Sequence, residues 1–421
     1  MIRSDRLILP HVGLWLFLLY CIISFHFTDL KLAGIKLNEF VALLTIPFLL
    51  YTIRHVNKYL LYFLALFVGF LLVTFASNTG TQFYTDINGL TLLKGPYLIS
   101  IARFVELMAC LAFALIVYKA VRYYQNQGLS INYILRKVLT INLYVSLVFL
   151  LIFLLVQSGV LPLPESTIIY DTTPYASNDP TPRLRGYYVE GGPLGLFYSS
   201  LYMLTFFVSG RKWVYRLVFL LVIIAAQSKA GMAGILAWHF YLFYRQFRHA
   251  SWFRYVILAM LIPVFYFVFT LLISNYLVSI ENFEALVEER KGDYNFVMGR
   301  IAALFITPNM VMENPLFGIG LGNYALVRND PAYLGILPPV PEWDAPGLGV
   351  FVTILVENGL IGFMAFLALL YAIYKNYAPD SIIASRALKV FILICLLGVQ
   401  LHFLYIWFFI GLALAAPADE Y

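Results

Sequence analysis

The chain has 421 residues, 62% hydrophobic and 12% charged, with a mean hydropathy of +0.83. That composition excludes a water-soluble globular domain. The formal net charge is +6; no basic and aromatic cluster suits a nucleic acid, and anionic lipid headgroups account for the excess.

Apolar runs of roughly 17 to 25 residues recur throughout, each long enough as a helix to cross a hydrocarbon core of about 30 Å. Such runs read as helices, because a spanning segment must satisfy its own backbone. In chain order they predict spans at 7–27, 33–53, 58–76, 97–118, 138–157, 191–209, 212–227, 229–245, 254–278, 348–374, 386–402 and 403–416. The expectation is an all-α integral membrane protein of about 12 transmembrane helices, both termini cytoplasmic. In that orientation 17 of the 28 Lys and Arg lie inside, whereas only Asp5, Asp380, Asp419 and Glu420 among the acids do, as the positive-inside rule requires. The first run has no small-x-small cleavage site and reads as an uncleaved span. Cys21, Cys110 and Cys395 fall within spans without C-x-x-C spacing, so neither a disulfide nor structural zinc is expected.

The expected organisation is 1–157 with spans one to five, 158–190 as an extracytoplasmic loop, 191–279 with spans six to nine, 280–347 as a large extracytoplasmic helical loop, and 348–421 with spans ten to twelve. The first loop carries Pro162, Pro164, Pro174, Pro180 and Pro182 and is expected to be irregular. In the second, 281–291 and 295–312 have helical apolar spacing, the latter broken at Pro308, and suit helices lying along the membrane surface. A loop of this length between spans nine and ten caps a cavity more often than it folds alone. A transporter of the major facilitator type would show two similar halves and a long link between spans six and seven, where this chain has only Gly210-Arg211-Lys212.

Residues 181–195 place Arg183, Arg185 and Glu190 where the first loop enters the sixth span. A guanidinium keeps its charge and grips phosphate through a planar fork, so the pair suits a lipid diphosphate; anchorage to headgroups is the plainer reading. Lys229, at a sharp turn between spans seven and eight, faces phosphate or caps the turn. Arg103 and Glu106, three apart in the fourth span, either pair as a structural lock or line a cavity. His11, His26 and His402 are assigned to packing.

Met298-Gly299-Arg300, then Asn314-Pro315-Leu316-Phe317-Gly318-Ile319-Gly320, then Glu357-Asn358-Gly359-Leu360-Ile361-Gly362 resemble, in order and spacing, the O-antigen ligase/polymerase superfamily, the Wzy- and WaaL-type membrane glycosyltransferases. The resemblance covers about 181–362 and implies a GT-C-like bundle in the bacterial inner membrane, with an active site facing the periplasm. It implies metal-independent inverting transfer from an undecaprenyl-diphosphate-linked oligosaccharide donor to a sugar hydroxyl of the acceptor, without a cofactor, Arg185 and Arg300 holding the diphosphate. Membrane lipids and a chain-length regulator protein are the further partners expected. Gly318-Ile319-Gly320-Leu321-Gly322 is not a nucleotide loop, since neither strand nor βαβ unit surrounds it.

Ligase-type members carry a His some nine residues before the Glu of the Glu-x-Gly motif, where this chain has Leu348. That favours polymerase over ligase and leaves proton acceptance to a carboxylate: Asp344 or Glu342, with Glu190 in reserve. Glu342-x-Asp344 also fits a divalent cation, but the expectation is no metal, because hard cations want further oxygen ligands and no acid cluster stands alongside. The competing class is a polysaccharide or lipid transporter without chemistry.

Overall fold

The computed structural model describes residues 5–32, 35–46, 56–79, 83, 95–161, 170–172, 182–210, 212–247, 255, 259, 283–290, 300–340 and 346–416. Its helices, in chain order, are α1 (Asp5–His26), α2 (Leu37–Leu44), α3 (Lys58–Asn78), α4 (Pro96–Asn126), α5 (Ile131–Gln157), α6 (Gly191–Leu204), α7 (Trp213–Ala225), α8 (Lys229–Phe247), α9 (Phe283–Arg290), α10 (Arg300–Glu313), α11 (Tyr324–Val327), α12 (Pro331–Leu334), α13 (Val350–Tyr377), α14 (Ile382–Leu396) and α15 (Leu404–Ala415). Two short antiparallel ladders join them, β1 (Lys31–Leu32) with β2 (Ile35–Lys36) and β3 (Tyr170–Thr172) with β4 (Pro182–Leu184).

Among the described residues four helices are long and apolar enough to cross a membrane: Lys58–Asn78, Tyr97–Asn126, Ile131–Gln157 and Val350–Tyr377. Gly13–His26, Trp213–Ala225 and Leu404–Ala415 are shorter apolar helices. This is an α-helical membrane protein. The expected span at 33–53 differs in its first part, where a β hairpin precedes an eight-residue helix; the polar Lys36, Asn38 and Glu39 enter that run, Asn38 and Glu39 bonding locally and Lys36 reaching Glu106 of α4. The expected span 254–278 lies outside the described residues apart from Tyr255 and Ala259.

Helix α15 lies inside the bundle. Every residue from Leu404 to Ala415 is buried, so a segment apolar on all sides has protein on all sides. It lies close to α4: a Cβ on Gly411 would come within 2.5 Å of the Ala114 carbonyl oxygen, the close approach that small residues permit between membrane helices. Glycines do the same between α6 and α8, where a Cβ on Gly231 would come within 2.6 Å of the Gly195 oxygen. Trp407 Nε1 donates to the Leu401 carbonyl at 2.8 Å, tying α15 to the 397–403 connection from α14.

The 300–340 segment has its own small core. Ala302, Ile306 and Met310 of α10 pack with Leu326, Val327 and Leu334, and this cluster continues into Ile99 of α4 and Val356 of α13. The expected pair of helices is present as α9 and α10. Pro308 does not break the second of them; it sits inside α10, which continues through it. A proline forfeits one backbone hydrogen bond, and burial of the helix face by Ile306 and Met310 holds the turns on either side.

Candidate functional site

The Glu-x-Gly motif breaks a helix, and the Asn-Pro-Leu-Phe-Gly-x-Gly turn mends it. Gly359 has φ +64°, non-helical backbone within α13, so helical bonds around it are lost. The turn supplies replacements on both sides. Ile319 N donates to the Val356 oxygen at 3.0 Å and Gly320 N to the Glu357 oxygen at 2.8 Å. Beyond the break, Leu360 N donates to Pro315 O at 2.9 Å and Ile361 N to Leu316 O at 3.2 Å. Backbone irregularity at membrane depth is tolerated where neighbouring protein satisfies it in this way. Glycine is required on both partners: a Cβ on Gly359 would come within 2.3 Å of the Leu316 backbone, and one on Gly318 (φ +71°) within 2.5 Å of the Glu357 backbone.

Further bonds fix the turn to the bundle. Leu321 N donates to Thr74 Oγ1 at 2.7 Å, and Asn323 Nδ2 donates to Asn78 Oδ1 at 2.7 Å, both partners on α3. The Glu357 carboxylate accepts from the Gly322 backbone N–H and lies in the field of Arg103. The two glycine-rich motifs thereby bring a buried carboxylate of α13 to face α4.

There it meets a cluster of charge. Arg103 Nη1 donates to the Glu106 carboxylate and, at 2.8 Å, to His402 Nδ1. Lys36 Nζ bridges Glu106 at 3.2 Å and Glu39 at 3.0 Å, and His402 lies 3.8 Å from Glu106. The spacing of Arg103 and Glu106 puts them on one helix face; they pair, and Arg103 also lines a cavity of about 40 Å³ with Glu357, Asn358, Gln400 and His402. That volume holds one water or one hydroxyl group. His402, which the sequence assigns to packing, is a polar member of this cluster; Lys36 and Glu39, hidden in an apparent span, are others. The signal for all three was the same: an ionisable residue inside an apolar run has a polar partner.

Of the arginines and lysine expected at the site, Arg300 and Arg185 reach the connection that carries His402. Arg300, exposed at the start of α10, places a guanidinium nitrogen 3.3 Å from where a Cβ on Gly398 would be, beside the 397–403 connection that carries His402. Arg185 Nη1 donates to the carbonyls of Tyr188 and Val189 and lies 3.8 Å from Asp29. Its neighbour Tyr188 stacks on Phe403, which stacks on His402. Burial pushes the Tyr188 phenol well above its ordinary pKa, so it remains a donor to the Phe25 carbonyl and holds the Arg185 strap to α1. Arg183 is paired in register with Asp171 between β4 and β3. Glu190 is exposed at the N-cap of α6. Lys229 is exposed at the start of α8, and the adjacent Ser228 donates to the Gly192 carbonyl at 2.9 Å, joining this turn to the same strap. Asp344 and Glu342 lie outside the described residues; Pro346, two residues after Asp344, lines the cavity. Among the described residues no group of three or more His, Cys, Asp or Glu could hold a metal ion.

A larger cavity, about 590 Å³, opens on the other side of the turn, between Asn314–Ile319 and Asp330 and Tyr333. Asn314 Nδ2 donates to the Tyr333 hydroxyl at 2.9 Å and so ties the turn to α12.

An all-helical membrane protein with a broken helix, a splinting turn and a buried charge cluster defines the class. Residues 214–367 match the family model Wzy_C, described as O-antigen ligase, which supports the O-antigen polymerase/ligase superfamily for this chain; members of that family are glycosyltransferase-like enzymes. The matched segment includes Arg300, the turn and the Glu-x-Gly break. No curated protein and no solved structure matches the chain.

Proposed function

We propose that the protein polymerises undecaprenyl-diphosphate-linked oligosaccharide repeat units into O-antigen or a related surface polysaccharide at the periplasmic face of the inner membrane, by metal-independent inverting transfer. The observation that carries this reading is the splinted break at Gly359, because it joins two motifs of the matched family segment and turns Glu357 toward Arg103 and His402.

Arg300 and Arg185 bind the diphosphate; their guanidiniums stabilise the negative charge that develops as the leaving group departs. Arg183 and Lys229, at the same end, add positive potential. Asp344 or Glu342, just before Pro346 at the cavity, accepts the proton of the acceptor hydroxyl. The Arg103–Glu106–His402 cluster holds Glu357 and the 397–403 connection in register. The 590 Å³ cavity beside Tyr333 and Asp330 has the aromatic and carboxylate lining that sugars use and the volume to receive part of a glycan.

The ligase description of the matched family favours a second reading, transfer of finished polymer to the lipid A-core; Leu348, where ligase-type members carry His, argues against it. The glycan profile of a strain lacking this protein separates the two. Single repeat units on carrier or lipopolysaccharide are expected for a polymerase. Bare core with normal polymer left on the carrier identifies a ligase, and an unchanged profile overturns both.

A further inference from the structure

The opposite end of the bundle holds a second charged cavity, which plays no part in the reading above. Beyond its break, α13 runs from Leu360 to Tyr377, about 25 Å at 1.5 Å per residue, so its far end lies most of a bilayer's thickness away. There the last turn of α8 and the start of α14 border about 250 Å³ lined by Tyr241, Tyr244, Arg245, Ser385, Arg386 and Lys389. Arg245 is close enough to Arg386 for the two charges to repel, and Arg386 also acts on Lys212.

Among the described residues no carboxylate lines this cavity, and none of its three cations forms an ion pair. Arg386 Nη1 donates to the Phe206 carbonyl at 2.7 Å, but its Nε is buried without a hydrogen-bond partner. Lys389 Nζ donates to the Tyr241 hydroxyl and to Ser385 Oγ, each at 3.0 Å, which leaves one of its three protons unassigned. Basic residues that merely anchor a helix spread along its face toward the headgroups. These converge instead on one partly open cavity, where like charges destabilise one another unless an anion joins them.

We propose that this cavity binds a phosphate group. Two guanidiniums and an ammonium supply charge-assisted donors for its oxygens, and basic pockets between membrane helices are suited to lipid head groups. The phosphate belongs either to an anionic phospholipid or to a free phosphate ion.

The test uses the purified full chain and the variant Arg245→Gln/Lys389→Gln. Native mass spectrometry follows retention of phosphatidylglycerol against phosphatidylcholine, and thermal unfolding is titrated with inorganic phosphate against chloride at matched ionic strength. Preferential retention of phosphatidylglycerol by the wild type, weakened roughly 30-fold in the variant, identifies a lipid headgroup. A phosphate-specific rise in Tm that the variant lacks, without phosphatidylglycerol preference, identifies free phosphate. Equal behaviour of the two proteins in both assays overturns the site. If the double variant does not fold, Arg245→Gln is read alone, since that side chain is exposed; a roughly fivefold weakening is expected, and no change overturns the proposal.

Discussion

At one end of the protein Arg103 lies between Glu106 and His402, with Lys36 and Glu39 completing an alternation of sign; at the other, Arg245, Arg386 and Lys389 share a cavity that no described carboxylate enters. The first arrangement is closed: opposite charges meet within α4 and beside α2, and the Lys36–Glu106 and Arg103–His402 contacts fix α2, α4 and the 397–403 connection relative to one another. The second is open, and its positive charge is available to something outside the chain. Charge that is matched within the protein serves architecture, and charge left unmatched is what a ligand would answer.

The comparison predicts that chemistry resides wholly at the matched end. With purified enzyme and lipid-linked repeat units, Asp344→Asn or Glu342→Gln is expected to lower turnover by roughly 10²–10⁴-fold with donor binding retained. Wild-type turnover is expected to persist in chelator; its loss there would make the pair a cation site. Full activity in both amide variants would move the base to Glu190.

The architectural part of the contrast is tested by Gly359→Ala, which forces a Cβ into the Leu316 backbone at a positive φ. A destabilisation of about 3 kcal/mol or more is expected, seen as a lower thermal midpoint together with lost activity. A stable, active Gly359→Ala protein would mean that the splint is dispensable.

Breaking the matched cluster from one side is expected to cost about 3 kcal/mol, because Arg103→Met leaves Glu106 facing one fewer cation. The double variant Arg103→Met/Glu106→Leu should regain thermal stability without regaining activity. Equal stability in single and double variants would remove the pairing as its cause.

The smallest effect expected is at the rim of the site. Arg300→Lys keeps charge but loses the fork and should lower kcat/KM about tenfold, and Arg185→Lys somewhat more, since Arg185 also secures the strap through Tyr188 and Val189. Arg290→Lys should change little. Unaltered kinetics in the first two variants would withdraw the diphosphate assignment.

Four long helices of the bundle are legible in the sequence because lipid imposes one rule on every span: an apolar run of sufficient length. The long helices α3, α4, α5 and α13 follow it. What the rule hides is polarity carried within such a run. The stretch 33–53 reads as a continuous span, yet Lys36 and Glu39 make its beginning a hairpin and a short helix. The break in α13 is equally silent, since an apolar helix containing Gly359 has the same periodicity whether straight or broken; only the turn at 315–320 decides. In sequence His402 reads as a packing residue, because a lone histidine beside aromatic residues is usually packed and its partner Arg103 lies 299 residues away. Arg103 and Glu106 were visible as a pair for the opposite reason, being one helical turn apart.

The position of the splint in the chain gives α13 an order of assembly. Residues 314–320 leave the ribosome before residues 350–377, so the brace is made before the helix it braces. Nothing in the composition of α13 prevents it from entering lipid as one straight rod, with its own hydrogen bonds intact. Docking on the waiting turn exchanges those bonds for four others, and only then does Glu357 turn toward Arg103. The contact of Glu357 with Arg103 is therefore completed only after α13 has been made, and a nascent chain stalled before Tyr377 carries the motif without the geometry.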